Sequence, residues 1–136
     1  MLTVLEKVDL LAHAEIFREV RTESLARIAA IAQEVGFEPL HPLFKENEAA
    51  EAMFVLVEGE VILARSGREG KKLGKFETAG AMAVLAEQAH TETASAAVPT
   101  QALRIGQQDF YEAMAEDINI VRGVLRALIG MVSDSG

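Results

Sequence analysis

The stretch Ala52-Met53-Phe54-Val55-Leu56-Val57-Glu58-Gly59-Glu60-Val61-Ile62-Leu63-Ala64 decides how the rest of the chain is read. From Ala52 to Val57 both alternating faces are apolar, which is the pattern of a strand covered on two sides. Glu58-Gly59 reads as a tight turn that folds Glu60 to Ala64 back as the second strand of a hairpin. Working outward, Val35 and Phe37 alternate with Gly36 and Glu38, and Pro39 and Pro42 interrupt pairing, so a short edge strand and a corner are predicted there. Ser66 to Lys72 is polar and holds Gly67 and Gly70, which predicts a second, more exposed hairpin loop before Leu73. Ala81-Met82-Ala83-Val84-Leu85 is a short run of good helix formers, and Thr93 to Ile105 returns to strand residues around a turn at Pro99-Thr100.

Both ends of the chain change period. Val4, Leu5, Val8 and Leu11 give Leu2 to Leu11 a helical face, and Leu25, Ile28, Ala29 and Ala32 do the same for Thr22 to Gln33, with Thr22 as the expected N-cap and Glu23 in the first turn. Gln107 to Ala115 and Asp117 to Val132 are predicted helices. In the second of them Val121, Val124, Leu125, Leu128 and Val132 form an apolar stripe that must meet something, either the body of the protein or a second copy. Arg122 and Arg126 lie four apart on another face.

Composition narrows the function classes. The chain has 136 residues, half of them hydrophobic and a quarter charged, which suits one globular domain with a core. Its formal charge of −8 opposes non-specific attraction to phosphate backbones, so nucleic acid is a poor partner. There is no cysteine, and His13, His41 and His90 lack ligand spacing, so no metal site is expected. No apolar run reaches the roughly 18 residues of a membrane span, and Glu6, Lys7 and Asp9 break any leader-like pattern near the start, so no direct membrane insertion and a cytoplasmic location are expected. No nucleophile with a base and no phosphate loop of the kinase or P-loop type is present, so no catalytic residue is assigned.

The order of elements and the turn residues resemble the cyclic nucleotide-binding domain family. Phe37-Glu38-Pro39, Leu43 to Glu48 and Met53 to Val61 are similar to its first half; Leu73-Gly74, Gly80 to Leu85, Pro99-Thr100, Leu103-Arg104-Ile105 and Asp109-Phe110-Tyr111 are similar to its second. The resemblance covers nearly the whole chain. It implies a mainly β fold with a helical cap: helices over 1–33, a jelly-roll β-barrel (double-stranded β-helix) of about eight strands over 34–106 with a short helix near 80–86, and two helices over 107–133. The opening Thr3 to Val8 also resembles the lead-in of family members attached to helical-repeat proteins or membrane transporters.

The departures from that resemblance concern the ligand. The family rests a cyclic phosphate on backbone N–H groups after a glycine, forks an arginine onto it, and holds the ribose with an acid. Gly80 and the helix after it keep the backbone half of this device. Ala81 stands where the acid belongs and His90 where the arginine belongs, so the degenerate set implied is Gly80, Ala81, Met82, His90 and Thr91. Glu92 stands where the family favours a small residue. Family glycines are also replaced by Leu40, Asn47, Ala50 and Phe76, and reshaped loops are expected there. His90 is expected to be an exposed loop histidine, Met82 and Met114 core fillers, and Arg68, Lys71 and Lys72 part of a solvated loop; Arg104 is expected to pair with Asp109 or Glu112.

Three functions follow as expectations. The first is a non-catalytic regulatory or interaction domain, within a larger protein or complex, that binds no cyclic nucleotide or other cofactor. The second is a sensor for a cyclic nucleotide or another compact anion. The third is a truncated catabolite-activator-like transcription regulator, set lower because no helix-turn-helix follows the last helix in this chain.

Overall fold

A computed structural model describes residues 1–135. The chain runs α1 (Val4–Ala12), a 3₁₀ turn (Glu15–Phe17), α2 (Thr22–Ile31), β1 (Gln33–Phe37), β2 (Pro42–Phe44), β3 (Ala52–Glu58), β4 (Val61–Arg65), β5 (Arg68–Leu73), β6 (Thr78–Ala79), α3 (Ala81–Ala86), β7 (Thr93–Ala96), β8 (Thr100–Gly106), α4 (Gln107–Glu116) and α5 (Ile118–Ser135). Eight strands form two antiparallel four-stranded sheets, ordered β1-β8-β3-β6 and β2-β7-β4-β5. This is the jelly-roll β-barrel capped by helices. Among the described residues no helix is long and apolar enough to cross a membrane.

The two-sided burial of β3 explains the layering. Met53 and Val55 face the helices with Leu103, Ile105, Phe17, Ile28 and Phe110, whereas Phe54 and Leu56 face the opposite sheet with Val61, Leu73, Ala94 and Ala102. One strand therefore holds both cores together. The expected hairpin at Glu58-Gly59 does not form: β3 pairs with β6 and β8, and β4 with β5 and β7, so this turn carries the chain from one sheet to the other. A strand apolar on both faces finds its partners across the barrel rather than along the chain. The second hairpin is present, but its loop is only Ser66-Gly67, at φ 52° and 80°, and most of the polar segment is the solvent-exposed edge strand β5.

The helical ends have sharper boundaries than periodicity gives. Thr3 caps α1 in a reciprocal box with Glu6, each taking the other's backbone N–H. Thr22 is the first residue of α2 and Arg21 holds the capping position, with no side-chain cap bond. At the junction of α4 and α5 the Asp117 carboxylate accepts from the Asn119 N–H at 3.0 Å and from the Ser24 hydroxyl at 2.7 Å, so it ends one helix, starts the next and ties both to α2.

The apolar stripe of α5 divides in two. Ile120, Val124 and Ala127 are buried against the body, and Gly123 lies where a Cβ would stand 2.7 Å from Val20 Cα. A second seam, Ile118, Val121, Leu125, Leu128 and Val132, advances in alternating steps of three and four residues; Ile118, Leu125 and Val132 are 52% to 72% exposed.

At the loops expected to be reshaped, three of the four residues hold a backbone that glycine favours. Leu40, Asn47 and Phe76 adopt φ 73°, 72° and 74°, the left-handed conformation that glycine supplies without strain; Ala50 alone of the four does not.

Candidate functional site

The cassette from Gly80 to Glu92 is held from both sides. Gly80 caps α3 at φ 84°, and a Cβ there would sit 2.9 Å from His90 Cε1 and 3.0 Å from Phe44 Cε2, so the chain passes under two rings at a point only glycine fits. At the other end of α3, Gln107 Nε2 and the Tyr111 hydroxyl donate to the Val84 carbonyl at 3.0 Å each, and the same hydroxyl lies 3.0 Å from the Leu85 carbonyl. Burial, helped by nearby Glu87, holds the Tyr111 phenol above its ordinary value. These bonds fasten the cassette to α4.

Beside Gly80 a cavity of about 400 Å³ opens between barrel, cassette and helical cap. Gly80, Ala81, Met82, His90 and Thr91 all line it, together with Glu92. Ala81 is buried, Thr91 exposed, and Met82, expected in the core, is 53% exposed on the rim because its helix presents that face outward. The cavity is open rather than plugged by Phe76 or Leu85.

His90 overturns the expectation of an exposed loop residue: it is 3% exposed, its ring stacked on Phe44 with centroids 3.6 Å apart at an interplanar angle of 10°. The loop is pulled inward by its backbone, since the His90 N–H donates to the Glu48 carbonyl at 2.9 Å and its own carbonyl accepts from the Asn47 N–H at 2.8 Å. Desolvation lowers the imidazole's affinity for a proton, with Glu48 partly opposing it. The ring thus lies flat on Phe44 with its proton affinity lowered, at the position for which the resemblance implies an arginine. It also forms the wall to a second, smaller cavity lined by Glu48, Glu51, Phe54 and Arg104. Among the described residues Arg104 makes no ion pair, so its expected pairing with Asp109 or Glu112 is absent.

Several lining residues escaped sequence reasoning because they come from the helical cap and a turn. The His13 ring stacks on Phe76, centroids 4.7 Å apart, while Lys75 Nζ lies 5.1 Å from the centre of the same ring. Ile16 and Met131 complete that wall. Phe76 was singled out as a turn residue, and its bulk at a glycine position was the available signal. Lys71 Nζ and a Glu77 carboxylate oxygen are 3.7 Å apart at the outer edge; Lys71 belongs to a strand, not a loop. Among the described residues no group of histidine, cysteine and carboxylate side chains could hold a metal ion.

Residues 34–117 match the cyclic nucleotide-binding domain family, and the chain belongs to it. A curated relative from Mycobacterium tuberculosis, the CRP-like cAMP-activated global transcriptional regulator, is 22% identical over 125 residues; the match takes in 88% of this chain, which spans 56% of that protein. Among solved structures, the N-terminal domain of a transcriptional regulator from Streptomyces coelicolor superposes with a TM-score of 0.83 at 24% identity, covering 94% of this chain and 95% of that one. A protein from Ruegeria pomeroyi, provisionally assigned as cyclic nucleotide binding, gives 0.82 at 20% identity, covering 94% of this chain and 59% of the other.

Proposed function

We propose that this chain is a non-catalytic regulatory domain of a larger protein or complex, that its cavity does not recognise cyclic nucleotides, and that it acts through self-association along α5. The observation carrying this reading is the cassette itself, with Ala81, His90 and Glu92 in the places of the ribose acid, the phosphate arginine and a small residue. Loss of one charge-assisted hydrogen bond removes about 1.5–3 kcal/mol, and two losses with a carboxylate added beside the phosphate exceed what micromolar recognition can spare. The Mycobacterium relative is named as cAMP-activated, a property of that protein that these three substitutions speak against here.

The direct experiment is thermal unfolding with cyclic AMP and cyclic GMP. A ligand at 100 times its Kd stabilises by about 2.7 kcal/mol, so a flat melting temperature at millimolar nucleotide is expected and a clear rise refutes the reading. Ala81→Glu, His90→Arg and Glu92→Ala combined should restore a rise if those positions are the reason.

The exposed seam of α5 supports the self-association. Its alternating three and four spacing is that of two helices packed along a shared face, and a second copy would cover Ile118, Leu125 and Val132. Leu125→Glu should abolish the dimer in analytical ultracentrifugation without lowering monomer stability, because Leu125 is 52% exposed. The same seam favours a second reading, that the parent protein is a transcription regulator, as its relatives are named, and pairs through α5. Cloning the parent gene product and assaying DNA binding separates the two.

A further inference from the structure

In an acidic molecule, positive charge gathers at one place, the hairpin of β4 and β5. Five of the chain's 13 bases, Arg65, Arg68, Lys71, Lys72 and Lys75, lie in it or just after it, with Glu69 as the one acid of the 21 between them. All five bases are exposed. Lys71 is engaged with Glu77 and Lys75 lies over the Phe76 ring, but Arg65, Arg68 and Lys72 make no ion pair among the described residues. Glu46 reaches the turn between the strands and there accepts the Ser66 N–H at 2.8 Å. Arg65 and Arg68 stand directly opposite each other across the ladder, a like-charge pair that is unfavourable until an anion lies beside it.

This charge lies on a free edge. β5 is the outer strand of its sheet, paired with β4 on one side, and its residues from Arg68 to Lys72 face solvent. Its other side offers main-chain N–H and C=O groups to an added strand. We propose that this edge takes an extended, acidic segment of a partner protein as a further strand of the sheet. A second copy pairing through the same edge would set Arg68 and Lys72 against identical bases, and the irregular register between Ile62 and Ala64 also resists such pairing. An acidic strand turns the same charges to attraction. Its main chain meets both the donors and the acceptors of the edge, whereas a phosphate surface brings acceptors only. The formal charge of −8 does not prevent this, because at physiological salt fields decay over about 8 Å and the segment meets the local bases.

The test uses the whole chain and a capped, neutrally labelled peptide of about six residues that alternates glutamate with threonine, the length of β5 itself. Fluorescence anisotropy should show saturable binding that weakens as salt is raised. A peptide with lysine for glutamate should not bind, and one with proline at its central threonine should bind at least about tenfold more weakly, because it loses a main-chain donor. Arg68→Glu combined with Lys72→Glu should weaken the acidic peptide at least about tenfold while leaving the melting temperature in place. Arg122→Glu combined with Arg126→Glu makes the same change in net charge on α5 and should leave the affinity unaltered. If the β5 variant does not fold, the contrast among the peptides on the native chain decides. Absence of saturable binding, equal affinity for the proline peptide, or equal weakening by the α5 variant overturns the proposal. So does tighter binding to phosphatidylserine vesicles or to a DNA oligonucleotide than to the peptide, which would assign the bases to a phosphate surface.

Discussion

Replacing Leu40 with glycine should make this protein more stable. Leu40 sits at φ 73° and is 85% exposed, so it bears the left-handed strain of a residue with a Cβ and buries almost nothing in return. That strain is about 1–2 kcal/mol, and the extra freedom glycine gives the unfolded chain costs about 0.4–1 kcal/mol, leaving a net gain of about 0.5–1 kcal/mol. The turn's anchoring bond, from the Leu40 N–H to the Ala96 carbonyl at 2.8 Å, is main-chain and survives the change. Urea unfolding followed by circular dichroism should show a higher midpoint with an unchanged slope, and the melting temperature should rise by about 2–4 °C. Phe76→Gly is the control at an almost identical φ of 74°. There the half-buried ring and its stack on His13 are lost, worth together about 2 kcal/mol, so the net effect should be a loss of about 1 kcal/mol. An unchanged or lower midpoint for Leu40→Gly, or a gain for Phe76→Gly, would refute the reasoning that side-chain burial decides which left-handed residue is tolerated.

Gly123→Ala should destabilise by about 1–2 kcal/mol despite a gain of about 1 kcal/mol in helix propensity, because the new Cβ would stand 2.7 Å from Val20 Cα and 2.9 Å from the Glu19 carbonyl oxygen; thermal melts check it, and a more stable variant would contradict the close approach. For His90, the unfolded chain takes up a proton near the ordinary 6.5 and the folded one only at lower pH, so below 6.5 the unfolded state binds more protons and stability falls as pH falls. His90→Gln should flatten that part of the stability profile between pH 7 and 5, as followed by urea midpoints. The Asp117 carboxyl is held below its ordinary value first by the Ser24 hydroxyl, then by Asn119 and Arg27 against opposing burial, so its contribution is present above the unfolded value of 3.8 and fades as pH drops through the lower folded value. Ser24→Ala should reduce the loss of stability on that acid limb, which acid titration of the variant against the native chain would show.

How much of this was legible in the sequence depended on the range of the interaction involved. The two-sided apolar run of Ala52 to Val57 correctly marked the buried strand, since burial on both faces is written in consecutive residues. Its partner strands were misassigned, because antiparallel pairing across a jelly roll joins segments such as β3 and β8 that lie some forty residues apart, and no local spacing encodes that. Ala81 and His90 stand out in the sequence only through the resemblance, and the inward turn of His90 was not legible at all: it depends on main-chain bonds to Asn47 and Glu48 and on the face of Phe44. The same holds for the left-handed loops. Leu40 and Phe76 looked like evidence of altered turns, whereas both hold a left-handed backbone fastened by main-chain bonds, from the Leu40 N–H to the Ala96 carbonyl and from the Phe76 N–H to the Leu56 carbonyl. On α5, periodicity found an apolar stripe without dividing it into an inner and an outer seam, because that division is set by the position of Val20 and the 3₁₀ turn.

The near contact of Gly123 with Val20 and Glu19 has a mechanical consequence. With no side chain between them, the exit helix and the entry segment of the chain meet backbone to backbone, so any larger residue at position 123 has to push the two apart. Ile16 and Met131, which sit on opposite arms of that joined piece, both look into the same hollow.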